Sequence, residues 1–337
     1  MLSGGRAYLF GTVIEPLRDG NIRELPEAFL QNTLKSAATF VGLGLHSGAD
    51  VRMAVRPAPA DFGIRFRRTD VSGRDAMIPA LWDAVVPSRL CTLIANSDGV
   101  SVSTIEHIMA ALAGLGIHNA LIDINGPEVP ILDGSAVPFV AGLLACGLQR
   151  QSTPVRAIRV LKPVEVRDGE AMARLDPAEM LEIDFSIAFP EPAIGHQMLR
   201  LNMANGAFVR ELSDSRTFCL QEDVDRMRAG GLARGGSLDN AVVFDHGRVL
   251  TPGGLRHGDE PVRHKMLDAM GDLALAGGPL LARYTGVRAG HALTNRLLRR
   301  LFAAPDAYVV DTCGWLTKAK LPGVGVHRAD LPILASA

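Results

Sequence analysis

Thiolate chemistry is scarce in this 337-residue chain: it has four cysteines, Cys91, Cys146, Cys219 and Cys313, far apart and never as C-x-x-C. That argues against a thiolate zinc site and a disulfide framework, and it suits a reducing cytoplasm. Any bound metal must therefore use histidine and carboxylate. Charge of one sign is missing too: the formal net charge is −1, so no global field favours nucleic acid or an acidic membrane. No apolar run reaches the roughly 18 residues of a membrane span; the longest lie near Ala110–Ile117 and Leu273–Ala282. The apolar patch Ala7–Ile14 is short and is followed by Glu15, Pro16 and Arg18, which reads as neither signal peptide nor anchor. The motif G-x-x-x-x-G-K-[ST] is absent, which disfavours nucleotide hydrolysis, and there is no H-E-x-x-H of the zincin type.

The chain is 47% hydrophobic and 21% charged, enough for two ordinary domains with real cores. Residues 1–31 show no sustained period and are expected to be a poorly ordered extension or a misassigned start. From Thr33 onward the texture changes. Val51–Val55 and Ile64–Arg68 alternate as half-buried strands do, and Ala120–Asn125 reads as a buried strand. Ser101–Gly116 is expected to be a helix, with Ser103-x-x-Glu106 as a capping box, and Ala136–Leu148 a second one. The polar stretch Gln149–Thr153, closed by Pro154, marks a boundary between a domain 32–153 and a domain 154–330. Strands then recur at Ile158–Glu165, Ala173–Asp176 and Leu181–Phe189. After Gln221–Asp245, with its Gly-rich run Gly230–Gly236 and strand Ala241–Phe244, come a helix over Val262–Asp272, strand Ala282–Val287 and helix Gly290–Phe302. Each half thus has strands, a helix bearing histidine beside an acid or lysine, then a strand and a helix, which suggests two similar units.

The helix Val262–Asp272 carries the chemistry. His264, Asp268 and Asp272 are spaced by four, so they share one face with neighbouring Cβ atoms about 5–6 Å apart. An imidazole and a carboxylate so placed can hold Zn²⁺, although an isolated H-x-x-x-D is more often a plain polar face. His107 offers a third ligand, leaving a fourth position for water; alone it reads as an ordinary polar helix residue. Glu106 beside it is either only a capping acid or a general base. His291 at a strand-to-helix turn is either an inert helix-start histidine or a protonated general acid, oriented by Asp272. Lys265 is either solvated or a contact for substrate phosphate. Thr217, in Arg216-Thr-Phe218, can donate its hydroxyl to a developing oxyanion. The remaining histidines are read as structural or surface residues, His46 in its Gly-rich loop being the exception able to approach a ligand. Asp133-Gly-Ser135 reads as a turn and cap.

Together these motifs resemble the UDP-3-O-acyl-N-acetylglucosamine deacetylases, the zinc amidases of lipid A biosynthesis. The resemblance rests on Val41–Gly48, Arg56-Pro-Ala-Pro-Ala60, Phe66-Arg-Arg-Thr-Asp70, Ser103–Gly116, Ile131-Leu-Asp-Gly-Ser-Ala136, Ser215-Arg-Thr-Phe218, Gly235-Gly-Ser-Leu-Asp239, Val262–Asp272 and Ala289-Gly-His-Ala292, in order over about residues 33–325. One departure is Arg288, where the family pattern has lysine. The resemblance implies an α+β fold of two similar domains, each a β-sheet layered on helices, with the helices packed face to face between the sheets. It implies one Zn²⁺, or Fe²⁺ in the cell, on His107, His264 and Asp268. Glu106 becomes the base, His291 the acid with Asp272 as partner, and Thr217 an aid to the tetrahedral intermediate. Lys265 and Phe218 are placed against sugar or diphosphate, Phe189 and Arg288 near the nucleotide, and 219–245 becomes an inserted tunnel for the acyl chain. The expected activity is hydrolytic removal of the N-acetyl group of UDP-3-O-acyl-N-acetylglucosamine by a cytoplasmic monomer. The rivals are a zinc amidase or peptidase of other specificity and a non-catalytic sugar-nucleotide-binding protein.

Overall fold

The computed structural model describes residues 28–333, together with the backbone of three short paired strands, Ala7–Leu9, Thr12–Pro16 and Ile22–Glu24. Apart from those strands, the first 27 residues of the expected extension lie outside the described set. Its last residues differ from expectation: Leu30–Leu34 is a strand with Gln31 buried. Its partner is Leu148–Pro154, so the polar segment placed at the domain boundary is itself a strand. The segment is polar because the strand is only half-buried and its side chains meet solvent.

The protein is a mixed α+β structure. In the front half, a five-stranded sheet runs in the order Ala38–Leu43, Asp50–Pro57, Ala120–Ile124, Ile64–Arg68, Met77–Pro79. Asp50–Pro57 buries Val51, Met53 and Val55 and exposes the alternate residues, the period-two pattern of a sheet with one covered face. Two helices accompany it, α1 (Glu106–Gly114) and α2 (Val137–Cys146); α2 packs on the strand Ala38–Leu43. The back half has a seven-stranded sheet whose central strand is Leu280–Val287. It pairs antiparallel with Ala171–Pro177 on one side, and parallel with Arg156–Val160 and Glu182–Ala188 on the other. The helices α3 (Ala207–Glu211), α4 (Gln221–Ala229) and α5 (Glu260–Ala274) come before the central strand Leu280–Val287, and α6 (His291–Phe302) follows it.

Among the strands that escape the sequence pattern are His196–Asn202 and Tyr308–Thr312. The first has no buried residue and the second is an edge strand, so neither carries a strong apolar alternation. The helix expected from Ser101 begins only at Glu106. Ser101–Ser103 is a strand paired with Leu93–Ala95, and Thr104 turns the chain with φ of 58°. No side chain caps α1, so the expected capping box does not form; Glu106 instead faces the residue Thr92.

Helices α1 and α5 pack against each other, joining the two halves. Both are buried on nearly every side, as an interior helix must be. The contact is backbone to backbone: a Cβ added at Gly271 would lie 2.0 Å from the Glu106 carbonyl oxygen. Among the described residues no helix is long and apolar enough to cross a membrane.

Candidate metal centre

The α1–α5 crossing assembles the site. Along α5, Glu260, His264, Asp268 and Asp272 form a single row, and all four are buried. That excludes a solvated polar face, because buried charges need partners or a metal. Against this row α1 sets Glu106 and His107, also buried. One nitrogen or oxygen from each of His107, His264 and Asp268 lies within 4.8 Å of the others.

The distances discriminate between hydrogen bonds and shared coordination. Asp268 Oδ1 is 3.4 Å from His264 Nε2 and 3.6 Å from His107 Nε2, long for hydrogen bonds. A tetrahedral Zn²⁺ with bonds of about 2.0–2.2 Å holds neighbouring ligand atoms roughly 3.3–3.6 Å apart. His264 Nδ1 is committed to the Ser215 carbonyl oxygen at 3.0 Å, which leaves Nε2 as the nitrogen free to face a metal. Burial pushes the His264 imidazole down to about 4, against the attraction of Asp268, so it is the neutral, metal-binding form at neutral pH. Burial alone would raise Asp268, but His264 and Lys265 hold its carboxyl well below the usual range; Lys265 Nζ donates to Oδ2 at 2.8 Å. The donor set therefore fits a divalent ion.

Around the trio lie the other titrating groups. Burial raises the Glu106 carboxyl, a shift moderated by His291 and His107. His291 sits at the start of α6, its Nδ1 2.8 Å from Asp272 Oδ2 and its Nε2 3.8 Å from Glu106 Oε1. Burial works against its charge, yet the Asp272 and Glu106 carboxylates outweigh it and bring the imidazole up to about 9.

The trio opens into a cavity of about 950 Å³. Glu106, Lys265, His291, Thr217, Phe218 and Phe189 also line it. Thr217 is held at the wall by the main chain: its N–H donates to Gly134 O and its carbonyl accepts from Val242 N–H, each at 2.8 Å. Gly134 has φ of +84°, and a Cβ there would meet the Asn240 carbonyl at 2.1 Å, so glycine is required. Phe218 lies edge-on to the His264 ring, centroids 6.2 Å apart, and to Phe189 at 5.5 Å. The far wall comes from 219–245: strand Phe218–Leu220, helix α4, and the loop through Leu232 and Leu238 to strand Val242–Asp245. Arg288 is not brought in. It is exposed, pairs with Glu170, and does not line the cavity.

Other histidines fall as read. His118 accepts the Asn32 N–H through Nδ1, and burial lowers it to about 4. His257 pairs with Asp214. His46 does line the cavity, its loop held by Glu128, which accepts from the His46 and Ser47 N–H groups at 2.8 and 2.9 Å. Asp133 accepts from Ser135 as a turn residue and also pairs with Arg256.

Three supporting groups carry no signal of their own in the sequence. Thr92 contacts Glu106 and Asp272. The Ser215 carbonyl orients His264. Glu260, fully buried, accepts from the Arg216 N–H and guanidinium and from the Arg256 N–H, which pins the segment carrying Ser215 and Thr217. Only the i, i+4 step from His264 hints at Glu260.

A sequence-family model described as UDP-3-O-acyl N-acetylglycosamine deacetylase matches residues 31–303. Among curated proteins, the UDP-3-O-acyl-N-acetylglucosamine deacetylase of Phenylobacterium zucineum is 53% identical over 282 residues, 84% of this chain and 96% of that protein. The protein of the same name from Anaeromyxobacter sp. is 46% identical over 83% of this chain and 91% of its own length. The one from Shewanella halifaxensis is 45% identical, covering 83% and 92%.

Proposed function

The chain belongs to the UDP-3-O-acyl N-acetylglycosamine deacetylase family, and from that premise we propose that it removes the N-acetyl group of UDP-3-O-acyl-N-acetylglucosamine, releasing acetate in an early committed step of lipid A biosynthesis. The observation that carries this reading is the buried convergence of His107, His264 and Asp268 beside Glu106 and His291.

His107, His264 and Asp268 would hold one Zn²⁺, or Fe²⁺ in the cell. When bound, the ion supplies Lewis acidity, which makes water a better nucleophile at neutral pH and polarises the acetamide carbonyl. Glu106 takes the proton of the attacking water; its carboxyl lies at the cavity wall, one residue before a ligand. Thr217 donates its hydroxyl to the carbonyl oxygen as negative charge develops there. His291, kept protonated by Asp272, gives its Nε2 proton to the departing amine nitrogen.

Lys265 and Phe218 contact sugar or diphosphate, and Phe189 lies towards the nucleotide. Arg288, paired with Glu170 outside the cavity, lies on the nucleotide side in this reading. The 219–245 element receives the 3-O-acyl chain against Leu220, Val224, Met227, Leu232 and Leu238. The functional unit is two domains, 32–153 contributing Glu106 and His107, and 154–330 contributing the rest. The free thiols of all four cysteines support a reducing, cytoplasmic setting, and we take the chain to act as a monomer.

The test is acetate release from UDP-3-O-acyl-N-acetylglucosamine set against a panel of acetylated peptides. Release from the nucleotide sugar alone, abolished in Glu106→Gln, is expected. Turnover confined to peptides would refute the substrate assignment.

A further inference from the structure

Thr92 stands outside every sequence motif, yet among the described residues it alone hydrogen-bonds both Glu106 and Asp272. It is 3% exposed and lies just before strand Leu93–Ala95. Its N–H donates to Glu106 Oε2 at 3.1 Å, and its hydroxyl donates to Asp272 Oδ1 at 2.5 Å. The other Asp272 oxygen faces His291 Nδ1 at 2.8 Å. One residue of the front half thus ties the base on α1 to the acid on α6, by way of α5.

We propose that Thr92 is a positioning residue for deacetylation: its hydroxyl fixes the Asp272 carboxylate, and through it the His291 imidazole, relative to Glu106. A carboxylate turns in a broad two-fold well about its last bond. One hydrogen bond leaves that rotation soft; a donor on each oxygen locks it. Without the hydroxyl, Asp272 Oδ1 becomes a buried acceptor in search of another donor, and the carboxylate turns away from His291. Thr92 does not line the cavity, so it acts on the substrate only through its neighbours.

Valine is the informative replacement. It keeps the shape and the N–H bonded to Glu106 and removes only the hydroxyl. The inference rests on His291 being the proton donor, so the test includes that residue. Kinetics and zinc content are measured on the full zinc-loaded chain for Thr92→Val, Thr92→Ser, His291→Ala and the double variant Thr92→Val/His291→Ala. Thr92→Val is expected to lower kcat by about 10–100-fold, as a small misplacement of a reacting group does. KM should stay within about twofold and zinc content unchanged, as for a group felt only in the transition state. Thr92→Ser, which restores the donor, should recover kcat to within roughly threefold of the parent. In the His291→Ala background the valine should cost less than about twofold more, because its route to the substrate is already cut.

Thr92→Val with parental kcat, a serine variant no better than valine, or an undiminished valine effect without His291 would each overturn the proposal. If His291→Ala keeps full kcat, the proton-donor reading fails and takes this inference with it. If His291→Ala is impaired while Thr92→Val is not, this inference alone falls. Should the valine variant fold poorly, Thr92→Cys, of similar size and with a much weaker donor, carries the same expectations.

Discussion

Gly271 of α5 lies against Glu106 of α1 so closely that a methyl group on it would sit 2.0 Å from the Glu106 carbonyl oxygen and 2.8 Å from its carbon. The atoms met are main chain, so no side-chain rotation relieves the clash. Gly271→Ala must push α1 away from α5, and His107 moves with α1. The expected result is a loss of bound zinc and a fall in kcat/KM of about 100-fold or more, with roughly 1–3 kcal/mol lost from stability. Metal analysis, steady-state kinetics and chemical denaturation check it. Full zinc and full activity in Gly271→Ala would show that the helices can part without disturbing the centre.

The pH dependence follows from two opposed protonation states. In the proposed mechanism Glu106 works ionised, and burial raises its carboxyl, so kcat/KM should fall as pH drops through that elevated value. The proposed proton donor His291 must work protonated and is brought up to about 9, burial notwithstanding, by Asp272 and Glu106, so the rate should fall again as pH rises through about 9. His291→Ala should remove the alkaline limb and cost about 10²–10⁴-fold in kcat. An unchanged alkaline limb in that variant would assign it to another group.

Glu260→Gln would leave Arg216, itself 7% exposed, without its counter-charge while keeping the volume nearly constant. Removing one partner of a buried pair costs about 3–5 kcal/mol. The same pair anchors the segment bearing the Ser215 carbonyl and Thr217, so kcat should drop beyond what instability explains. Kinetics well below the unfolding temperature, beside a melting curve, separate the two effects.

The acyl-chain assignment is tested by filling the wall formed by 219–245. Val224 on α4 is buried and lines the cavity. Val224→Phe should reduce kcat/KM for long 3-O-acyl substrates by about fourfold for each methylene excluded, since a buried CH₂ is worth about 0.8 kcal/mol. A 3-O-acetyl substrate should be little affected. Equal losses on both substrates would place the chain elsewhere.

Much of the centre was legible because helices impose a period. The step of four from His264 to Asp268 to Asp272 puts them on one face whatever surrounds the helix. That the face is buried was not legible, since the partner surface comes from residues more than 150 positions earlier. His107 became a candidate through its neighbour Glu106 and its place in a motif, and no periodicity links it to α5. The Ser103–Glu106 spacing suggested a cap, but Ser101–Ser103 pairs as a strand and the helix starts only at Glu106, whose carboxylate accepts from the Thr92 N–H instead. Thr92, the Ser215 carbonyl and Gly271 act through main-chain approach or a single hydroxyl. Such contacts leave no spacing signature, so they emerge only once the two halves are packed.

The most direct measurement is the zinc content of the purified chain and of its His107→Ala variant. About one zinc per chain is expected in the parent, with the ion largely lost when the ligand from α1 is removed although both α5 ligands remain. Full zinc occupancy in His107→Ala would contradict a centre shared between the two halves.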